Sequence, residues 1–126
     1  MIVAGSGPRL PDEVGDLTLR TTQVGQRTVL AAAGEIDLVT AQRLEKAADD
    51  ALDKGTHDLW IDLSDVEFID STGIHALLQV RGRVEELNRR LAVICPVSPI
   101  RRAFVLTGLD VALPLYTSRD EAHRHG

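Results

Sequence analysis

Residues 68–74 read F-I-D-S-T-G-I, and how this stretch divides decides the fold. Phe68-Ile69 ends a hydrophobic strand, Asp70-Ser71-Thr72-Gly73 is polar, and Ile74 lies in a long amphipathic segment. Apolar residues recur at Ile74, Leu77, Val80, Val84 and Leu87, the three- and four-residue spacing of one helical face. The stretch is therefore a strand-to-helix junction, and the spacing predicts a helix over about 72–88. A helix start leaves backbone N–H groups unpaired and carries partial positive charge, so it accommodates an anion. Ser71 then has two readings. Its hydroxyl is phosphorylated or touches a partner, or Ser71 and Asp70 merely cap the helix, as both residue types commonly do.

Working upstream, 58–63 (D-L-W-I-D-L) reads as a compact apolar strand, followed by a turn at 64–67. A helix is predicted over 41–53, capped by Thr40, with Val39 and Leu44 at the spacing of a hydrophobic staple and Gly55 at its end. Residues 16–23 alternate as a half-buried strand does. Gly25-Gln26 turns the chain, and 27–33 returns, so the two runs form an antiparallel hairpin. Downstream, 91–95 is a strand and Ser98-Pro99 starts a helix that Gly108 closes. A short strand at 113–116 follows, and Ser118 and Glu121 have capping-box spacing for a final short helix.

The order β-β-α-β-α-β-α-β-(α) defines an α/β domain. It has a single mixed sheet, an N-terminal antiparallel hairpin followed by parallel strands, with helices packed against it. Sites in such sheets gather at the carboxyl ends of strands, so Asp37 and Asp70-Ser71 are expected to share one edge. The Gly/Pro-rich residues 1–13 read as a flexible leader, 14–122 as the domain and 123–126 as a flexible tail.

A chain of 126 residues suits one domain that buries about two-thirds of its unfolded surface. The net charge of −5 argues against general affinity for nucleic acid or anionic membranes, and 3% aromatic content argues against base stacking. Arginine pairs at 81/83, 89/90 and 101/102 alternate with acids and read as solvated helix faces. The single Cys95 excludes an intrachain disulfide, fits a reducing compartment and is expected to be buried. No apolar run approaches the ~20 residues that span a bilayer, and the N-terminus lacks a signal-peptide pattern, so the expected location is cytoplasmic. As a nucleophile Ser71 lacks a G-x-S-x-G elbow and an oriented base, so no enzyme is read here. His123 and His125 in a terminal H-R-H make a poor metal site, and without a Gly-rich phosphate loop no cofactor is expected.

Three blocks carry a resemblance: G-E-I-D-L-V-T-A at 34–41, I-D-L-S-D-V-E-F-I-D-S-T-G-I at 61–74, and S-P-I-R-R-A-F-V-L-T-G-L at 98–109. Together, over roughly 14–122, they resemble the STAS-domain anti-sigma factor antagonists of bacteria. The resemblance implies a partner-switching protein without catalytic activity. Its unphosphorylated form would bind an anti-sigma factor with a histidine-kinase-like ATP-binding fold and so free a sigma factor. That partner would phosphorylate Ser71, ending the binding, and a metal-dependent PP2C-type serine phosphatase would reverse the mark. Asp37, Asp70, Ser71, Thr72 and Gly73 would form the surface the partner reads, and the free protein would be a monomer. The alternative is a STAS scaffold in a signalling assembly without a phosphoserine cycle. Gly73, lacking a Cβ, would admit a kinase loop or permit unusual backbone angles, or would merely relax the first helical turn.

Overall fold

The computed structural model describes residues 2–3 and 16–125. Its elements are β1 (Ile2–Val3), β2 (Leu17–Val24), β3 (Arg27–Ile36), α1 (Ala41–Asp53), β4 (Asp58–Ile69), α2 (Ser71–Glu86), β5 (Arg90–Ile94), α3 (Pro99–Leu106), α4 (Leu109–Ala112), β6 (Leu115–Tyr116) and α5 (Arg119–His125). The strands lie in one mixed sheet in the order β2-β3-β4-β5-β6. The β2–β3 hairpin is antiparallel, and β3–β4, β4–β5 and β5–β6 are parallel. Gly25, at φ +61, takes the left-handed position of the two-residue hairpin turn. The leader expected over 1–13 lies outside the described residues except for Ile2–Val3, which pair antiparallel with Ile69 and Phe68.

Both faces of β4 are covered, which is why it reads as a nearly continuous apolar run. On one face Leu59, Ile61, Leu63, Val66 and Ile69 join Leu30, Ala32 and Ile36 of β3. Leu44, Ala48 and Leu52 of α1, Leu77, Val80 and Val84 of α2, and Ile100 and Phe104 of α3 pack onto them. On the other face Val29, Trp60, Ala92 and Ile94 meet Ala122 of α5.

The turn expected at 64–67 is absent; β4 runs unbroken through it. Two register shifts against β3 accommodate the polar residues. Ala31 and Ala33 face Asp62 and Asp65, and Gly34 and Glu35 face Val66 and Phe68, so each shift places one extra residue on β4. These are β-bulges, and they leave Ser64, Asp65 and Glu67 in solvent while the apolar residues stay inside.

The local chemistry of several helix ends departs from expectation. Thr40 precedes α1, but its side chain does not cap the helix. Its hydroxyl donates to the Glu35 carbonyl (2.7 Å) and accepts from the Asp37 N–H (2.9 Å). Val39 is 68% exposed, so the staple with Leu44 does not form. The short α4 follows directly on Gly108, whose φ of +79 ends α3 and turns the chain. Ser98 caps α3 as expected, its Oγ accepting from Arg101 N. Ser118 Oγ likewise accepts from Glu121 N, while the Glu121 carboxylate binds Thr117 rather than closing a reciprocal box. Residues 123–125, assigned to the tail, continue α5 because His123 and His125 find ring partners on the sheet.

Candidate functional site

β3 and β4 are parallel and in register at their ends, Ile36 facing Ile69. Their two exit loops therefore emerge side by side. The Asp70 N–H donates to the Ile36 carbonyl (3.1 Å) and ties the loops together. Asp37 and Asp70-Ser71 share one edge of the sheet, as the topology predicted.

Asp70 is the N-cap of α2. One carboxylate oxygen, Oδ1, accepts from Thr72 N (3.0 Å), Gly73 N (3.1 Å) and the Thr72 hydroxyl. This settles which residue caps the helix and separates the two neighbouring hydroxyls. Thr72 is half-buried with its hydroxyl bound to Asp70. Ser71, the first helical residue, is exposed, and its hydroxyl has no protein partner among the described residues.

Gly73 is buried, and its φ is not in the left-handed region. It does not serve unusual backbone angles. A Cβ there would lie 2.6 Å from Ile69 Cγ1, 2.7 Å from Ile36 Cγ2 and 2.8 Å from the Ile36 carbonyl oxygen. Gly73 lets the first turn of α2 sit directly on the ends of β3 and β4.

Asp37 is buried and shapes the neighbouring loop from beneath. Its Oδ1 accepts from Val39 N (2.9 Å), Thr40 N (3.1 Å) and the Thr40 hydroxyl (3.2 Å). That bonding turns Leu38 and Val39 outward, 69% and 68% exposed. The other carboxylate oxygen, Oδ2, is buried without a hydrogen-bond partner among the described residues. The edge thus presents a free serine hydroxyl at a helix start beside two outward-facing aliphatic side chains. The sequence pattern placed Asp37, Asp70 and Ser71 at this edge; it gave no sign that Leu38 and Val39 face solvent, which follows from Asp37 folding the loop.

Ser71 has no base within hydrogen-bond reach among the described residues, and the exposed His75 Nε2 lies 3.1 Å from Gln79 Nε2. Cys95 is buried, and burial pushes its thiol above the ordinary range despite the Ser98 contact and the nearby Arg101, so it is a packing residue. No group of three or more metal-ligating side chains converges among the described residues, and no helix there is long and apolar enough to cross a membrane.

A parallel core with an N-terminal hairpin and a capped D-S-T-G helix start defines a mixed-sheet α/β module, and the sequence comparison supplies its family. The STAS domain family matches residues 18–122, and the chain belongs to it. It is 35% identical over 94 residues to the anti-sigma-F factor antagonist RsfB of Mycobacterium tuberculosis, covering 75% of this chain and 76% of that protein. A crystal structure of an anti-sigma factor antagonist from Mycobacterium paratuberculosis superposes with TM-score 0.74 at 32% identity, over 89% of this chain and 95% of the other. The Bacillus cell fate determinant SpoIIAA in its phosphorylated form shares the fold, with TM-score 0.66 at 19% identity, over 86% of this chain and all of that one.

Proposed function

We propose that this protein is an anti-sigma factor antagonist whose binding is switched by phosphorylation of Ser71. The observation that carries this reading is the contrast between adjacent hydroxyls. Thr72 is held by Asp70, while Ser71 stands exposed at the start of α2. The names of the mycobacterial relatives support the antagonist role.

In the unphosphorylated state the partner, an anti-sigma factor with a histidine-kinase-like ATP-binding fold, rests on the edge formed by the Asp37 and Asp70 loops. Leu38 and Val39 supply apolar contact. Asp37, Asp70 and Gly73 hold the surface in shape from beneath. Binding sequesters the anti-sigma factor and frees the sigma factor. The kinase activity of the same partner then transfers phosphate from ATP to Ser71 Oγ. The added group carries about −1.5 to −2 charge. A helix start stabilises such charge by only about 0.3–1 kcal/mol when exposed, too little to rearrange the domain. Release comes from repulsion, bulk and desolvation at the interface, where like charges brought together cost several kcal/mol. A PP2C-type serine phosphatase resets the protein. The protein itself catalyses nothing, needs no cofactor and works as a cytoplasmic monomer when free.

The test is to incubate the purified protein with the kinase-like anti-sigma factor and ATP, then map the phosphate by mass spectrometry. Ser71→Ala should abolish labelling and Thr72→Val should leave it. Labelling at Thr72 would refute Ser71 as the acceptor, and partner binding equal in Ser71→Ala and Ser71→Glu would remove the switch and leave a protein-binding scaffold.

A further inference from the structure

The outer face of the sheet is covered by α5, a helix of seven residues. So short a helix is not stable in isolation, so it holds its form only while docked. Its anchors are specific. Arg119 Nε donates to the buried Asp62 carboxylate (2.7 Å), and Ala122 is buried against Val29, Trp60, Ala92 and Ile94. The third anchor is His123. Its ring stands edge-on to Trp60, the centroids 6.3 Å apart, and its Nδ1 lies 3.2 Å from Arg27 Nη1.

A guanidinium only donates, so this contact needs Nδ1 of His123 as its acceptor, a role that only the unprotonated nitrogen fills. Arg27 has little freedom to retreat. Its guanidinium lies 3.9 Å above the Trp60 ring centroid, and its Nε donates to Asp58 Oδ2 (2.9 Å). Asp58 is itself shared, its Oδ1 accepting from the Trp60 indole N–H (3.0 Å). Protonating His123 removes the lone pair that Arg27 uses and sets a second cation against the first.

We propose that α5 is a proton-sensitive clasp. It is closed on the Trp60 face while His123 is neutral, and loosened, with that face uncovered, when His123 takes up a proton. The charged and titratable groups around it are Arg27 on β3, Asp58 and Asp62 on β4, Arg90 on β5, Tyr116 on β6, and Arg119, Asp120, Glu121, Arg124 and His125 on α5 itself. Asp62 and Arg119 are already paired, and Glu121 is bound to Thr117. The His125 ring stacks on Tyr116 while its carbonyl accepts from Arg90. His123 is the group whose protonation directly breaks a contact to the sheet.

Trp60 is the only tryptophan, so its fluorescence reports the clasp alone. Acrylamide quenching of the full chain is measured from pH 8 to pH 5, across the range in which an imidazole ordinarily protonates, with far-UV circular dichroism in parallel. Loss of one solvent-exposed hydrogen bond predicts roughly a two- to tenfold rise in the open population as pH falls. His123→Gln, whose amide oxygen still accepts from Arg27 but does not titrate, should abolish the transition; His125→Gln should retain it. Quenching flat in the wild type, an unchanged transition in His123→Gln, or dichroism lost over the same range would each overturn the proposal.

Discussion

Two glycines of α2 isolate the energy of close packing at the switch. Gly73 and Gly82 lie in the same helix, and Gly→Ala relieves the same conformational penalty at both, about 1 kcal/mol. Their surroundings differ completely. An added Cβ at Gly82 would meet nothing within 4 Å, whereas at Gly73 it would come within 3.0 Å of three atoms. One of those is the Ile36 carbonyl oxygen, fixed by the hydrogen bond from Asp70 N. Gly82→Ala should therefore stabilise by about 0.5–1 kcal/mol. Gly73→Ala adds an overpacking cost of about 1–3 kcal/mol to the same gain. Subtracting one variant from the other cancels the helix preference and leaves the packing term. Urea unfolding at constant m-value measures it: the Gly82 variant should move the midpoint up, and the Gly73 variant should lie about 1–3 kcal/mol below it. Equal midpoint shifts would refute the argument that Gly73 exists for the contact with Ile36 and Ile69.

Ser71→Glu should leave circular dichroism and the melting temperature nearly unchanged while lowering affinity for the anti-sigma partner by about 100-fold or more, read by calorimetry. Asp37→Ala strips the acceptor from two loop N–H groups; it should cost about 1–3 kcal/mol in urea unfolding and weaken the partner complex as Leu38 and Val39 lose their placement. Leu38→Ser should weaken that complex with stability unchanged, since the side chain is already in solvent. Burial alone would raise the Asp62 carboxyl, but the Ser64 hydroxyl and amide and Arg119 hold it below the usual range. A depressed value means stability present above about pH 4, the ordinary aspartate range, and lost as pH falls below it. Asp62→Asn should therefore be less stable than wild type at pH 7, with the gap narrowing at pH 3.

The hairpin, α1, the α2 stripe as far as Val84 and the Ser98 cap were legible because each is written locally, in alternation, periodicity or turn chemistry, whereas Leu87, read as the end of the stripe, lies exposed at the C-cap. The segment S-D-V-E at 64–67 misled for a physical reason. Its polar residues are turn formers, and only the neighbouring strand reveals that bulges absorb them. Asp70 and Ser71 were legible as a helix start, yet the assignment of the cap to Asp70 and the freedom of Ser71 needed coordinates. Val39 and Leu44 had staple spacing, but Asp37 bends the loop and puts Val39 in solvent. The role of Gly73 is set by Ile36, far away in sequence, and the docking of α5 by Arg27 and Trp60, further still. Single-sequence patterns do not carry contacts at such separation.

The two bulges of β4 have a consequence for how the switch is placed. Along β3 the helix-facing core residues Leu30, Ala32 and Ile36 keep one parity, whereas along β4 they run 59, 61, 63, then 66, then 69. Each surplus residue inverts the phase of the strand, and the second restores what the first reversed. Between Leu63 and Ile69 the chain is thus counted like a vernier. Losing one residue there would turn Ile69 outward and present Ser71 from the wrong side, while losing both would return the original phase on a shorter strand. Residues with no direct contact to the serine therefore set its aim by number rather than by chemistry.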